Sequence, residues 1–151
     1  MYTVDITSVM PLLGFSQSSY SSMRSQQTHY LDPHMQMVEQ GLTKAALLSL
    51  KEAVGLNWQQ LAEILHVTAR TLQRYQTNQV FPSALTERLL RLADVYAKGY
   101  EVFEDRAMFQ QWMQEPVPAL GNVVPLSLLH SIYGTDKIMQ ELGRIEHGIL
   151  A

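Results

Sequence analysis

A short stretch near the middle of the chain carries the side chains best suited to chemistry with a partner molecule. Guanidinium groups can donate two hydrogen bonds to guanine, and a glutamine amide can pair bidentately with adenine. Threonine hydroxyls and the N-terminus of a helix can hold phosphate oxygens. These groups occur within one predicted helix and just after it, at Thr68, Arg70, Thr71, Gln73, Arg74 and Thr77. They predict a surface that contacts DNA.

The elements that must position these side chains are predicted over Gly55–Tyr75, which reads as two short helices joined by a tight turn. Asn57 is a good N-cap for the first helix, and Gln60 occupies the N3 position of a capping-box-like pair. Ala62 is small enough to let a second helix cross closely. The inward face of the first helix, at helical spacing, consists of Leu61, Ala62 and Leu65.

The second helix is predicted to begin after its cap Thr68 and to point Leu72 and Tyr75 inward. Val67 is predicted to fill the turn as a buried residue. His66 stands where such motifs usually have a glycine in the left-handed conformation, which histidine tolerates with some strain. The pattern as a whole is typical of a helix-turn-helix. The alternative is an ordinary helical hairpin whose polar face is only solvated.

The composition is typical of a globular intracellular protein. A chain of 151 residues, 46% of them hydrophobic, can bury about two-thirds of its unfolded surface. It has no cysteine, so disulfides and thiolate chemistry are excluded. No apolar run approaches the roughly 18 residues of a membrane span, and no basic region precedes the N-terminal apolar patch as in a signal peptide. We therefore expect no membrane contact and a cytoplasmic location.

The net charge of −3 is unevenly distributed along the chain, and its distribution indicates three parts. Residues 1–39 sum to −2, residues 40–99 to +3 and residues 100–151 to −4. A DNA-binding surface acts within a Debye length of about 8 to 10 Å, so the local sign counts more than the total. We expect an N-terminal segment over 1–39, a modestly basic DNA-binding domain over 40–99 and an acidic helical domain over 100–151.

The N-terminal segment gives few structural signals. Met1–Phe15 is too interrupted, by Pro11 and Gly14, for a firm helix prediction. The serine- and glutamine-rich residues 14–30 favour a flexible arm. His29, Tyr30 and His34 lack the carboxylates or cysteines of a metal site, so we expect no metal.

Two helices are predicted to flank the helix-turn-helix. Thr43 caps the first, which Gly55 ends in a left-handed conformation, and Ser83 follows a proline at the start of the second. Arg88 and Arg91 lie beside its core stripe and face either phosphates or solvent. The inward positions of the two helices are Leu47, Leu50, Val54, Leu85, Leu89, Leu92 and Val95.

The remaining chain is predicted to be helical as well, which makes the fold all-α. Gly99 is expected to loosen the preceding helix, and Asp105 to cap a helix that points Phe109 and Trp112 inward. A turn at Leu120–Gly121 then leads into a helix that Gly134 closes. The last helix is expected to begin at the cap Thr135, with an apolar stripe of Ile138, Leu142 and Ile145.

This C-terminal part shows no arrangement of residues suited to catalysis. It has no nucleophile beside a base, no metal-ligand spacing and no glycine-rich phosphate loop. Glu146 and His147 are adjacent, so on a helix they diverge by about 100° and cannot act as an acid–base pair. We expect neither enzymatic activity nor a cofactor, and a surface that binds a partner instead.

Several motifs in the second half of the chain resemble a known family. They read RTLQRY, ERLLRLADVY, VFEDRAMFQQWMQEPVPALG, PLSLL and ELGRIEHGILA, within roughly residues 40–151. The sequence resembles the Xre/MbcA/ParS family of bacterial type II antitoxins, and most of all the Xre members that are paired with RES-domain toxins. The most specific features are Trp112 before Pro116, Leu120–Gly121, Pro125 and the run from Gly143 to Gly148.

The resemblance implies a homodimer that binds the promoter of its own operon and masks a toxin that consumes NAD. In such complexes the C-terminal part of the antitoxin occludes the toxin's active site. The matching positions in this chain are Arg144, Glu146, His147, Gly148, Ile149, Leu150 and Ala151. The apolar end of the chain fits this role, because leaving it in water would waste about 1.5 to 3 kcal/mol of burial for each large side chain.

Two functions from different classes remain open on the sequence. The first is an antitoxin with a DNA-reading module and a toxin-neutralising module. The second is a free-standing transcriptional repressor whose C-terminal module dimerises or senses a ligand. The adjacent reading frame discriminates between them, since an antitoxin is expected to lie beside the gene of a small toxin.

Overall fold

The computed structural model describes residues 4–16, 18–19 and 32–148, and this part of the chain is built from helices. Three short 3-10 helices cover Met10–Leu13, Pro118–Leu120 and Pro125–Leu128. The α-helices are α1 (Ile6–Val9), α2 (Pro33–Gln40), α3 (Lys44–Val54), α4 (Trp58–Leu65), α5 (Ala69–Arg74), α6 (Ser83–Phe103), α7 (Arg106–Gln114) and α8 (Ile132–Glu146). The described residues contain no strand, only two isolated β-bridges. The all-α prediction is confirmed.

The long helix α6 is the element on which the others pack. It contacts α1, α2, α3, α4, α7 and α8, and its fully buried residues include Leu89, Val95 and Tyr96. One continuous hydrophobic core runs from Val4 to Leu142 along this helix. None of the helices in the described part of the chain is both long and apolar enough to cross a membrane.

The N-terminal residues contribute more to this core than the sequence indicates. Asp5 caps α1 by accepting from the Thr7 backbone N–H at 2.9 Å, and the side chains that follow are buried against α3 and α6. They include Val9, Met10, Leu12 and Leu13. The interrupting Pro11 opens a 3-10 turn, and Gly14 ends it with φ of 81°. Of the predicted arm over 14–30, most lies outside the described residues.

The predicted helix-turn-helix is confirmed by α4 and α5. Asn57 and Gln60 exchange side-chain to backbone hydrogen bonds of 2.8 and 3.0 Å, which completes the capping box. Ala62 and Leu72 are buried where the two helices cross. Tyr75 is half-buried, with its ring edge against Phe81 at 4.7 Å between centroids. The turn residue Val67 is half-buried rather than buried.

Helix α6 does not loosen at Gly99, so this prediction is wrong. The helix runs without interruption to Phe103 and ends where Glu104 adopts φ of 57°. Gly99 is required for close packing instead, because a Cβ at this position would lie 2.1 Å from the ring of Phe109. Because Gly99 has no side chain, the Phe109 ring packs directly on the backbone of α6. Gly99 itself keeps an ordinary helical conformation.

Phe109 is the centre of an aromatic cluster that joins α6 to α7. It is fully buried, and its ring centroid lies 5.2 Å from that of Tyr96, 5.4 Å from Phe103 and 5.9 Å from Trp112. Asp105 caps α7 as predicted, by accepting from the Met108 N–H at 3.1 Å. Trp112 is half-buried at the edge of the cluster, so the predicted inward face of this helix is confirmed.

The predicted boundary around Gly134 is also wrong. Only a 3-10 helix covers Pro125–Leu128, and Gly134 lies inside the first turn of α8 instead of closing a helix. The cap of α8 is Ser131, which accepts from the Gly134 N–H at 3.0 Å, while the Thr135 hydroxyl donates to the Ser131 carbonyl. A Cβ at Gly134 would lie 2.0 Å from the carbonyl oxygen of Leu128. Glycine therefore permits a close approach here.

Candidate nucleic-acid interface and C-terminal surface

Helix α5 presents its polar face to solvent, as predicted. The side chains of Arg70, Gln73 and Arg74 are exposed. Within the described part of the chain neither guanidinium group forms an ion pair or a hydrogen bond. Their charge is therefore available to phosphate or guanine.

The beginning of α5 is fixed by two threonines. Thr68 accepts from the Thr71 backbone N–H at 3.0 Å, and the two hydroxyl oxygens lie 2.8 Å apart. Both residues are exposed. This pair satisfies part of the free N–H groups at the helix start and holds two hydroxyls beside the exposed arginines.

The end of α5 is fixed by the start of α3, which is a positioning element that the sequence did not reveal. Lys44 donates through Nζ to the Gln73 carbonyl at 2.7 Å. The Ala45 N–H donates to the Thr77 carbonyl at 2.9 Å, and Thr43 and Val80 form a β-bridge. These contacts set where the exposed Thr77 side chain lies relative to the arginines of α5.

The turn between α4 and α5 is braced from two sides. His66 adopts the left-handed conformation, with φ of 58°, as its position predicted. Its Nε2 donates to the His130 carbonyl at 2.5 Å, and Arg88 donates to the Leu65 carbonyl at 3.3 Å. Arg88 is thus engaged within the protein, and Arg91 pairs with Glu87 at 2.8 Å.

The end of α8 is tied back to α6. Glu146 accepts from Lys98 Nζ at 2.6 Å, and this hydrogen bond lowers the pKa of the Glu146 carboxyl below its usual range. Arg144 lies 3.7 Å from the Glu141 carboxylate. His147 is exposed at the C-cap, and Gly148 follows with φ of 68°. The predicted toxin-contacting residues Ile149, Leu150 and Ala151 lie outside the described residues.

His34 bridges helices α2 and α6. Its Nε2 lies 2.9 Å from Asp94 on α6 and its Nδ1 lies 3.3 Å from Asp32, the N-cap of α2. The hydrogen bond with Asp94 is the main cause that raises the pKa of His34 above its ordinary value. Burial raises the pKa of Asp94. His29 and Tyr30 lie outside the described residues, which hold no group suited to a metal ion.

The prediction of which residues α5 exposes is confirmed. The sequence did not predict the contacts that brace the neighbouring turn and the end of α8. The bonds from His66 to His130 and from Lys98 to Glu146 join residues 64 and 48 positions apart. No local pattern signals such pairs. The cap positions gave a local signal, because side-chain oxygen acceptors directly precede a helical apolar pattern.

Comparison with known protein families matches two adjacent parts of the chain. Residues 33–94 match the model of the antitoxin Xre-like helix-turn-helix domain. Residues 98–148 match the model of the antitoxin Xre/MbcA/ParS C-terminal toxin-binding domain. The first match ends and the second begins within α6, and together they span most of the described residues.

Characterised relatives carry related names. The chain is 35% identical over 72 residues to Antitoxin Xre of Photorhabdus laumondii subsp. laumondii, which covers 47% of this chain and 49% of the relative. It is 33% identical over 95 residues to Antitoxin Xre of Yersinia enterocolitica, over 60% of this chain and 64% of the relative. A more distant match, 23% identical over 125 residues, is the Prs ADP-ribosylating antitoxin of a Sphingobium strain, over 76% of this chain and 79% of that relative. The chain therefore spans about half to two-thirds of the two Xre relatives.

Proposed function

This chain belongs to the Xre/MbcA/ParS-type antitoxins, and from that premise we propose that it is the antitoxin of a type II toxin-antitoxin system. It binds and neutralises a cognate toxin through its C-terminal module and represses its own operon through α5. The observation that carries the proposal is the tandem match of an antitoxin helix-turn-helix domain and a toxin-binding domain in one chain.

The geometry of α5 supports the DNA-binding part of this proposal. Arg70, Gln73 and Arg74 are exposed on a helix whose two ends are fixed by Thr68 and Lys44. A base-reading helix requires this combination of free polar side chains and a rigid frame, because loosely held contacts add little discrimination. The module over 40–99 carries only +3, so we propose that two copies of the protein bind two half-sites as a homodimer. Because repression requires contact with the operon DNA, we propose that the protein is cytoplasmic.

The C-terminal module supports the toxin-binding part. Its residues 100–151 carry a charge of −4, which complements a toxin that binds an anionic substrate and therefore presents cationic groups. We propose that the toxin is a RES-domain protein that consumes NAD. The sequence resemblance of the ending ELGRIEHGILA to Xre antitoxins supports this partner. The name of the Sphingobium relative, which refers to ADP-ribosylation, supports this partner as well.

We further propose that the residues from Arg144 to Ala151 enter the toxin's active site. The Lys98–Glu146 pair supports this role, because it ties the last turn of α8 to α6. Gly148 follows in a left-handed conformation, and a Cβ there would meet nothing within 4 Å, so the surface beside the end of α8 is open to a partner.

Co-expression with the product of the adjacent reading frame tests the proposed function. We expect the neighbouring product alone to stop growth and to deplete cellular NAD, and expect this chain to restore both and to co-purify with it. A free-standing repressor would leave growth unchanged in all combinations. Growth arrest without NAD depletion would support the antitoxin function but would exclude a RES-domain toxin as the partner.

Deletion of residues 148–151 tests the role of the tail. If the tail occludes the toxin, the truncated protein is expected to lose rescue of growth while it still represses a reporter driven by its own promoter. Rescue by the truncated protein would move neutralisation to the helices around Trp112 and Leu129. Loss of both activities would indicate a folding defect, which a thermal melt of the purified truncated protein identifies.

A further inference from the structure

A second surface, lined by residues of neither α5 nor the last turn of α8, has the properties of a protein-docking groove. Helices α2 and α8 both pack on α6, and between them lies an open groove of about 850 Å³. Its floor is apolar and consists of Val4, Val38, Leu90, Val95 and Met139. The edges carry two exposed apolar side chains, Met35 at 53% and Ile132 at 54% of their full accessibility.

These two side chains lie at the two edges of one groove. Exposed single apolar residues are common, but here they extend a buried apolar floor to both edges of one concavity. Met35 belongs to α2 and Ile132 to α8, so the apolar strip crosses the whole groove. Such a strip is stabilised when an apolar stripe of another molecule covers it, because apolar surface is then removed from water.

The charges around the groove decide what kind of molecule fits. Asp32 and Asp94 are engaged with His34, and Glu87 is engaged with Arg91. Glu39 on α2 and Asp136 on α8 also line the groove, and both are exposed. Among the described residues, these two carboxylates have no ion-pair or hydrogen-bond partner. Glu39 and Asp136 belong to the two helices between which the groove lies.

We propose that this groove binds an amphipathic helix of a partner protein, with an apolar stripe flanked by lysine or arginine on both sides. The apolar stripe covers the strip from Met35 to Ile132, and the flanking cations pair with Glu39 and Asp136. The binding mode is that of a helix laid into a hydrophobic groove. It uses residues other than those assigned to DNA or to the C-terminal tail and holds whether or not the partner is a toxin.

A second copy of this chain fits the groove less well. A symmetric pair of grooves would place the carboxylates of Glu39 and Asp136 against each other, and like charges across an interface are repulsive. The exposed unpaired cations Arg70 and Arg74 would reach the groove only in a head-to-tail contact, and such contacts form open chains unless they close into a ring. The acidic walls therefore favour a basic partner.

A labelled model peptide tests the proposal directly. The probe is a fluorescein-labelled helix of roughly 14 residues, about four turns, with leucine on one face and lysine on both flanks. A matched peptide carries glutamate instead of lysine. Fluorescence anisotropy at about 0.15 M salt, where exposed charges are screened beyond about 8 Å, is expected to show saturable binding of the lysine peptide only.

Variants of the groove locate the binding. Ile132→Asp is expected to weaken the lysine peptide about tenfold or more, because one large apolar side chain no longer contributes its burial. The double change Glu39→Lys and Asp136→Lys is expected to weaken it severalfold and to admit the glutamate peptide. All three positions are exposed, so the fold tolerates these changes, and a thermal melt of each variant verifies this.

Two variants outside the groove serve as matched controls. Met108→Asp removes an apolar side chain that is 57% exposed on α7, and Glu101→Lys reverses an exposed charge on α6. Both are expected to bind the lysine peptide like the unchanged protein. Equal binding by Ile132→Asp, or no binding of the lysine peptide at all, would overturn the proposal. A dimer in sedimentation velocity that Ile132→Asp converts to monomer would assign the groove to a second copy instead.

Discussion

The helix-turn-helix and the C-terminal module bring their helices together by different means. In α4 and α5 the contact relies on many small terms, which are the caps at Asn57 and Thr68 and the small residue Ala62. In the C-terminal module the helix contact relies on a few tightly packed positions, above all the ring of Phe109 against the backbone of Gly99. We therefore expect the largest single-site loss of stability at Phe109 and a smaller one at a buried position of the helix-turn-helix.

The largest effect is expected at the centre of the aromatic cluster. Phe109→Ala removes a fully buried ring and should lower the free energy of unfolding by about 4 kcal/mol. The neighbouring change Met108→Ala, at a residue that is 57% exposed, should alter it by less than about 0.5 kcal/mol. Urea denaturation of both variants measures the difference. Similar losses would show that the cluster is not the main support of this module.

A smaller effect is expected inside the helix-turn-helix. Leu72→Ala should cost about 3 kcal/mol, since Leu72 is fully buried beneath α4. The adjacent Gln73→Ala should leave the unfolding free energy unchanged, because Gln73 is exposed. Thermal melts separate the two variants. Equal melting temperatures would mean that the inward and outward faces of α5 are reversed.

The third effect is on DNA binding alone. Changing both Arg70 and Arg74 to Ala should weaken binding to the protein's own promoter about a hundredfold, since each base contact contributes about 1 to 3 kcal/mol. Folding should be unaffected, as both side chains are exposed. A gel shift and a thermal melt measure the two properties. Arg144→Ala removes the same charge outside the helix-turn-helix, in the last turn of α8, and should bind DNA normally.

The smallest effect concerns the docking of α2 and depends on pH. The pKa of His34 is raised in the folded state, chiefly by its hydrogen bond with Asp94, with smaller effects of Asp32. The stabilisation is thus fully present below the unfolded-state pKa near 6.5 and is lost as the pH rises through the higher folded-state value. Asp5 and Arg91 are the other charged groups that act on this pair.

The loss between about pH 6 and about pH 8.5 should be about 1 kcal/mol, the scale of a partly exposed ion pair. Urea denaturation at the two pH values measures it. His34→Gln should remove this part of the pH dependence, whereas Glu101→Gln at an exposed position should retain it. An unchanged pH profile in His34→Gln would exclude the His34–Asp94 pair as its origin.

The parts of the fold that the sequence predicted well are those with local determinants. Thr43, Asn57, Thr68 and Asp105 were identified as caps because each precedes its own helix, and the structure confirms all four. Gly134 was misassigned because its role depends on how closely the Leu128 carbonyl approaches it in the folded turn before α8, which helical spacing does not indicate. A glycine that ends a helix and a glycine that admits a neighbour look the same in a single sequence.

The same distinction holds for the candidate sites. The exposed face of α5 followed from helical spacing, so Arg70 and Arg74 were placed correctly. The groove between α2 and α8 could not be predicted, because Met35 and Ile132 meet only after α2 and α8 have packed on α6. Whether the assigned residues bind DNA or a toxin stays a prediction for the experiments above.

The uninterrupted course of α6 through residue 99 has a consequence for recombination between related genes. A crossover at residue 99 would join half of one helix to half of another and would separate Gly99 from the Phe109 ring that packs on it. A crossover after Glu104 would separate them as well. A crossover that keeps Gly99 and Phe109 together therefore has to fall before residue 99 or after residue 109.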